Sequence, residues 1–113
     1  MSWKVTVRHG SRVGREKFGT LDEAIDCARR HVDEVRREGR LPTITAFRKH
    51  TSGQRVQARI EISGPGLIRS PEGGIDVMGD GTAIAYSGAI RKETIEADSL
   101  EDALGKLRRS LSD

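Results

Sequence analysis

One stretch of this chain occurs twice. Thr20-Leu21-Asp22-Glu23-Ala24-Ile25, followed by Ala28-Arg29-Arg30, aligns without a gap on Ser99-Leu100-Glu101-Asp102-Ala103-Leu104, followed by Leu107-Arg108-Arg109. Each copy opens with a hydroxyl residue and an acid three places later. This is a capping box, in which the hydroxyl accepts from one helical N–H and the carboxylate reaches back to another. Apolar residues then recur at helical spacing: Leu21, Ala24, Ile25, Ala28, Val32 and Val35 in the first copy, Leu100, Ala103, Leu104, Leu107 and Leu111 in the second. A helix with one apolar stripe has to bury it against another layer. Strand-like sequence precedes both copies, so the expected layer is a sheet.

Trp3, Val5, Val7 and His9 alternate with Lys4, Thr6 and Arg8, the period of a strand with one covered face. Gly10-Ser11 offers a turn, and Val13 to Phe18 can return as a weaker partner strand. The first helix is expected to run from Thr20 to about Glu38. Asp22, Glu23 and Asp26 sit at the positive end of its dipole and Arg36, Arg37 and Arg40 at or beyond the negative end, with Gly39 and Pro42 to stop it. Asp26 with Arg30 and Asp33 with Arg37 stand at i, i+4 spacing on its solvated side.

Thr43 to His50 favours strand and Thr51 to Gln54 a turn. Val56, Ala58, Ile60 and Ile62 then alternate strictly with Arg55, Gln57, Arg59 and Glu61. Two prolines and four glycines between Ser63 and Gly74 read as a loop. Ile75 and Val77 lead into a Gly79-Asp80-Gly81 hairpin turn, Thr82 to Ser87 returns, and Ala89 to Ala97 can add a strand before the second helix. Together these patterns predict an α+β fold, antiparallel sheet with two helices on one face, in a single domain over residues 1–113. Two related β-β-α units, 1–62 and 75–113 joined by 63–74, are one origin for the repeat. Convergence of helix caps and apolar stripes is the other, and the strand portions align poorly.

Composition narrows the classes. Charged residues make up 33% of the chain and aromatics only 4%, so much of the surface is ionic, while regular apolar periods argue against disorder. Cys27, the single cysteine, cannot close an internal disulfide, which fits a reducing compartment and makes the cytoplasm the expected location. The N-terminal stretch reads as strand rather than leader, and no run approaches the roughly 18 apolar residues of a membrane span. A soluble, unexported protein without membrane association is expected.

Chemistry-bearing motifs are sparse. Cys27 and His31 stand one helical turn apart and His9 and His50 are further imidazoles, but the paired spacings of zinc motifs are missing, so no metal is expected. Gly64-Pro65-Gly66 and Gly73-Gly74 lack the Lys-Ser/Thr ending of a phosphate loop. Asp76 and Asp80 near Gly81 lack the alternating acids of a calcium loop. Ser70 and Ser87 occur in no nucleophile setting. The expectation is a protein that is not an enzyme and uses no cofactor.

Charge distribution gives the functional expectation. Residues 1–60 carry +7 and residues 61–113 carry −4. Between Gly39 and Ile60 stand Arg40, Arg48, Lys49, Arg55 and Arg59 without one acid, and Lys4, Arg8, Arg12 and Arg15 can join them on a sheet face or edge. The chain is accordingly expected to be a non-catalytic interaction module whose oppositely charged halves and strand edges support association with a protein partner or a second copy. The alternative is nucleic-acid binding through a basic N-terminal sheet surface made by Arg8, Arg12, Arg48, Lys49, Arg55 and Arg59. Few aromatics are available to stack on bases and neither helix is basic enough for a recognition helix.

Overall fold

The computed structural model describes residues 2–38, 56–65, 71–79, 81–88 and 93–112. In chain order these form β1 (Trp3–His9), β2 (Arg12–Phe18), α1 (Leu21–Glu38), β3 (Val56–Ser63), β4 (Glu72–Met78), β5 (Ala83–Ser87), β6 (Glu93–Ile95) and α2 (Leu100–Ser112). The strand expected over Thr43 to His50 and the turn after it lie outside the described residues. The six strands make one sheet in the order β2-β1-β3-β4-β5-β6, every neighbouring pair antiparallel. Both helices pack on the same face, α1 over β1, β3 and β4 and α2 over β4, β5 and β6. This is the predicted α+β fold. No helix among the described residues is long and apolar enough to cross a membrane.

Both helix starts follow the repeated sequence. The Thr20 hydroxyl accepts from the Glu23 N–H at 3.2 Å and donates to the Glu23 carboxylate at 2.9 Å. At the second start, Ser99 Oγ accepts from the Asp102 N–H at 3.1 Å while the Asp102 carboxylate accepts from the Asp98 N–H, also at 3.1 Å. Ala24, Ile25, Ala28, Val32 and Val35 are buried as the stripe requires, joined by Cys27 and Arg36. Ala103, Leu104, Leu107 and Leu111 do the same for α2. The helices also exchange charges reciprocally: Arg108 of α2 pairs with Asp22 of α1, and Arg29 of α1 approaches Glu101 of α2 at 3.2 Å. The repeat aligns Asp22 with Glu101 and Arg29 with Arg108, so each helix gives its first-turn acid to the same arginine of the other, and the two run antiparallel.

Three local expectations change. Residues 63–74 are not one loop: β3 continues through Ser63, β4 begins at Glu72, and Gly64 donates to the Pro71 carbonyl at 2.8 Å. Gly73 and Gly74 are strand residues that are glycine because of crowding on both faces. A Cβ at Gly73 would lie 2.8 Å from Leu107 Cδ1, and one at Gly74 would lie 2.2 Å from the Ile60 carbonyl oxygen and 2.7 Å from the Tyr86 hydroxyl. Among the described residues the last strand covers Glu93–Ile95 and ends before Glu96, and positions 89–92 of the expected strand lie outside them. On α1, Asp26 approaches Arg29 at 3.5 Å rather than Arg30, and no Asp33–Arg37 pair forms. Gly81 does turn the β4–β5 hairpin, with φ at 89°.

Candidate interaction surface

Strand alternation divides the side chains between two faces. Val5, Ile60, Ile62, Ile75, Val77, Ala83 and Ala85 point toward the helices and are buried. Register places Lys4, Thr6 and Arg8 of β1, Val13, Arg15 and Lys17 of β2, and Arg59, Glu61 and Ser63 of β3 on the second face. Glu72, Gly74, Asp76 and Met78 of β4 continue it, with Ile84 and Tyr86 of β5 beside them.

This second face has two regimes. Over β4 and β5 it is dry: Met78, Ile84 and Tyr86 are all buried. Burial pushes the Tyr86 phenol above its ordinary range, with Asp76 adding to the effect, and the Arg59 guanidinium sits 5.6 Å from the Tyr86 ring centre. Over β1 and β2 it is exposed and cationic. Lys4 stands directly opposite Lys17, and Arg15 opposite Thr6. Like charges facing each other across a ladder are destabilising. Among the described residues no carboxylate lies within ion-pair distance of Lys4, Arg15 or Lys17. A cavity of about 330 Å³ opens here, lined by Lys4, Thr6, Arg8, Arg15, Glu61, Ser63, Glu72 and Tyr86.

The two edges of the sheet contrast as well. β2 is an outer strand of seven residues in which Arg12 through Lys17 are all exposed, Val13 at 45%. Among the described residues its outer backbone edge has no strand beside it. At the opposite edge, β6 is three residues long, and Glu93, Glu96 and Asp98 on and after it are exposed. Among the described residues one edge is basic and long, the other acidic and short.

The residues named from sequence for nucleic-acid contact separate. Arg8 and Arg59 do share the second face and face each other in the β1–β3 register. Both are already engaged: Arg8 Nε donates to Glu61 at 3.1 Å, and Arg59 holds Asp76 through two bonds of 2.6 and 3.0 Å. Arg12 is on the helix side of the sheet, donating to Glu38 at 3.0 Å. Arg48, Lys49 and Arg55 lie outside the described residues. Lys17, absent from the sequence expectation, belongs to the cationic cluster. Its membership follows from the Lys4↔Lys17 register, which an irregular strand pattern over 12–18 did not specify. Comparison with protein-family models, with curated proteins and with solved structures finds no match to this chain.

Proposed function

We propose that this chain is a non-catalytic protein-association module whose docking element is the basic β2 edge, and that the acidic β6 edge of a second copy is the partner it takes. The observation that carries this reading is the charge contrast between the two edges: among the described residues, Arg15 and Lys17 have no carboxylate partner on one, and Glu93, Glu96 and Asp98 are exposed on the other. An unpaired strand edge supplies backbone donors and acceptors for an added strand, and complementary charge selects which strand is added. Joining unlike edges is a head-to-tail contact, which grows chains rather than closing a pair unless its rotation closes a ring.

Light scattering across a concentration and salt series tests it. The expected result is a mass that rises above 12.4 kDa with concentration and falls back with salt. Arg15→Glu with Lys17→Glu removes one edge, and the neutral Glu93→Gln with Glu96→Gln removes the other without making a partner for the reversed one, so each double variant is monomeric alone. Mixed together they form a 1:1 dimer through the two intact edges and grow no further. A monomer at every concentration, or association untouched by both variants, overturns the reading.

Nucleic-acid binding is the second reading, favoured by Lys4 and Arg15, which line the cavity, and by Lys17 opposite Lys4, none of them paired with a carboxylate among the described residues. Salt-paired Arg8 and Arg59, Arg12 on the other face and a buried Tyr86 weaken it. Anisotropy of labelled oligonucleotides decides: contact with three phosphates on a duplex predicts a log-log salt slope of about −3.

A further inference from the structure

On the helix side of the sheet, β2 brings Glu16 to the face of α1 that carries Cys27 and His31. Residues 27 and 31 are four apart and lie one above the other on the helix. The ligand atoms of Glu16, Cys27 and His31 all lie within 4.8 Å of one another. His31 Nε2 is 3.2 Å from the Glu16 carboxylate, and its Nδ1 is 3.5 Å from the Glu34 carboxylate. Cys27 is fully buried, His31 is partly buried and Glu16 is exposed, so the cluster is closed at the sulfur and open to solvent at the carboxylate. We propose that Glu16, Cys27 and His31 bind one zinc ion, which ties the edge strand β2 to α1.

The donor set suits this ion. Thiolate, imidazole nitrogen and carboxylate oxygen are the three zinc donors of proteins, and bond lengths of about 2.0 to 2.3 Å place ligand atoms roughly 3.3 to 3.7 Å apart in a tetrahedron. The widest separation among the three atoms therefore has to close by about 1 Å. One thiolate and one carboxylate balance the two charges of the cation. A soft sulfur with an imidazole favours zinc over magnesium or calcium, which prefer oxygen alone. The exposed side next to Glu16 leaves the fourth position for water. Glu34, 3.5 Å from His31 Nδ1, is placed to hold the Nδ1 proton once Nε2 ligates the metal.

Without metal the thiol stays protonated: burial, then the neighbouring Glu16, pushes Cys27 up to about 11. Zinc binding consequently releases that proton. The site belongs to one half of the repeat alone, because the positions of α2 that align with Cys27 and His31 hold Lys106 and Ser110. His9, weighed with them on sequence grounds, sits apart beside Arg12 and Glu38, and His50 lies outside the described residues. Glu16 replaces them, and only the strand register reveals it. The proposal stands independently of the edge-to-edge association above.

Full-length protein stripped with chelator and titrated with zinc against a chromogenic competitor tests it, with cobalt as spectroscopic probe. The expected result is one equivalent of zinc, release of about one proton, and a thiolate-to-cobalt charge-transfer band that Cys27→Ser abolishes. Glu34→Gln weakens binding about 10- to 100-fold, and His31→Gln and Glu16→Gln weaken it more. Circular dichroism shows whether Cys27→Ser is folded. If it is not, the less buried His31 and Glu16 variants carry the test. Failure of the wild-type protein to hold zinc at micromolar concentration, zinc affinity unchanged in His31→Gln and Glu16→Gln, or a cobalt complex without the thiolate band overturns the proposal.

Discussion

The two helices begin alike and pack by opposite means. α1 lays the small residues Ala24, Cys27 and Ala28, flanked by Ile25, Val32 and Val35, over the β1, β3 and β4 region, where Ile60, Ile62 and Ile75 are large and fully buried. α2 lays Leu104, Leu107 and Leu111 over a part of the sheet built from Gly73, Ala83 and Ala85. Interiors pack near crystal density, so a layer of constant thickness trades bulk on the helix against bulk on the sheet. The repeat therefore sets where each helix starts and which side faces inward. Side-chain size is settled separately, between each helix and the strands beneath it.

Truncating Leu107 to Ala strikes the helix that supplies the bulk and has the largest expected effect. Its side chain is fully buried above Gly73, where no sheet residue can expand to fill the space, so urea unfolding is expected to lose about 2–5 kcal/mol. Enlarging Ala28 to Leu is the opposite test on α1. Ala28 is fully buried over large sheet residues, and overpacking is expected to cost about 1–3 kcal/mol. If Ala28→Leu stabilises the protein, or Leu107→Ala is neutral, the proposed exchange of bulk is wrong.

These pairings separate what sequence displays from what it conceals. Both caps, both stripes and the turn at Gly81 were legible because each depends on residues within a few positions of one another. The clean alternation over 56–62 gave β3 for the same reason. Gly73 and Gly74 misled because glycine signals a turn locally, whereas here it answers Leu107 and Tyr86, both distant in sequence. Glu16 and Lys17 were invisible as site residues: Arg-Val-Gly-Arg-Glu-Lys-Phe has no period, and only pairing with β1 decides which residues face the helices. Arg8, Arg12 and Arg59 looked alike as cations, and the carboxylates that claim them come from other strands or the far end of α1.

The caps offer a comparison in which the two helix starts should agree. Thr20→Ala and Ser99→Ala each leave a first-turn N–H without its side-chain acceptor, at Glu23 and Asp102 respectively. Each is expected to cost about 1 kcal/mol by urea unfolding. Because the caps stand at the starts of different helices, the double variant should be additive. A large loss from one and none from the other would mean that only one helix start is held by its box.

Smallest in effect, the exposed acids of the two first turns should differ in how acid and salt act on them. The Arg108 guanidinium, by hydrogen bond and then by charge, holds the Asp22 carboxyl below its usual range. Asp102 is lowered first by the Asp98 N–H and then by Lys106. A carboxyl depressed in the folded state leaves the unfolded chain binding more protons, so its contribution is present above the unfolded value near pH 4 and is lost as pH falls through the folded value. Asp22→Asn and Asp102→Asn should therefore each flatten the acid limb of the stability profile, with variant and parent converging at the lowest pH. Salt then tells them apart. The Asp22 contribution crosses between helices as an exposed ion pair and should fade as ionic strength rises. The Asp102 contribution rests first on a local backbone hydrogen bond and should persist.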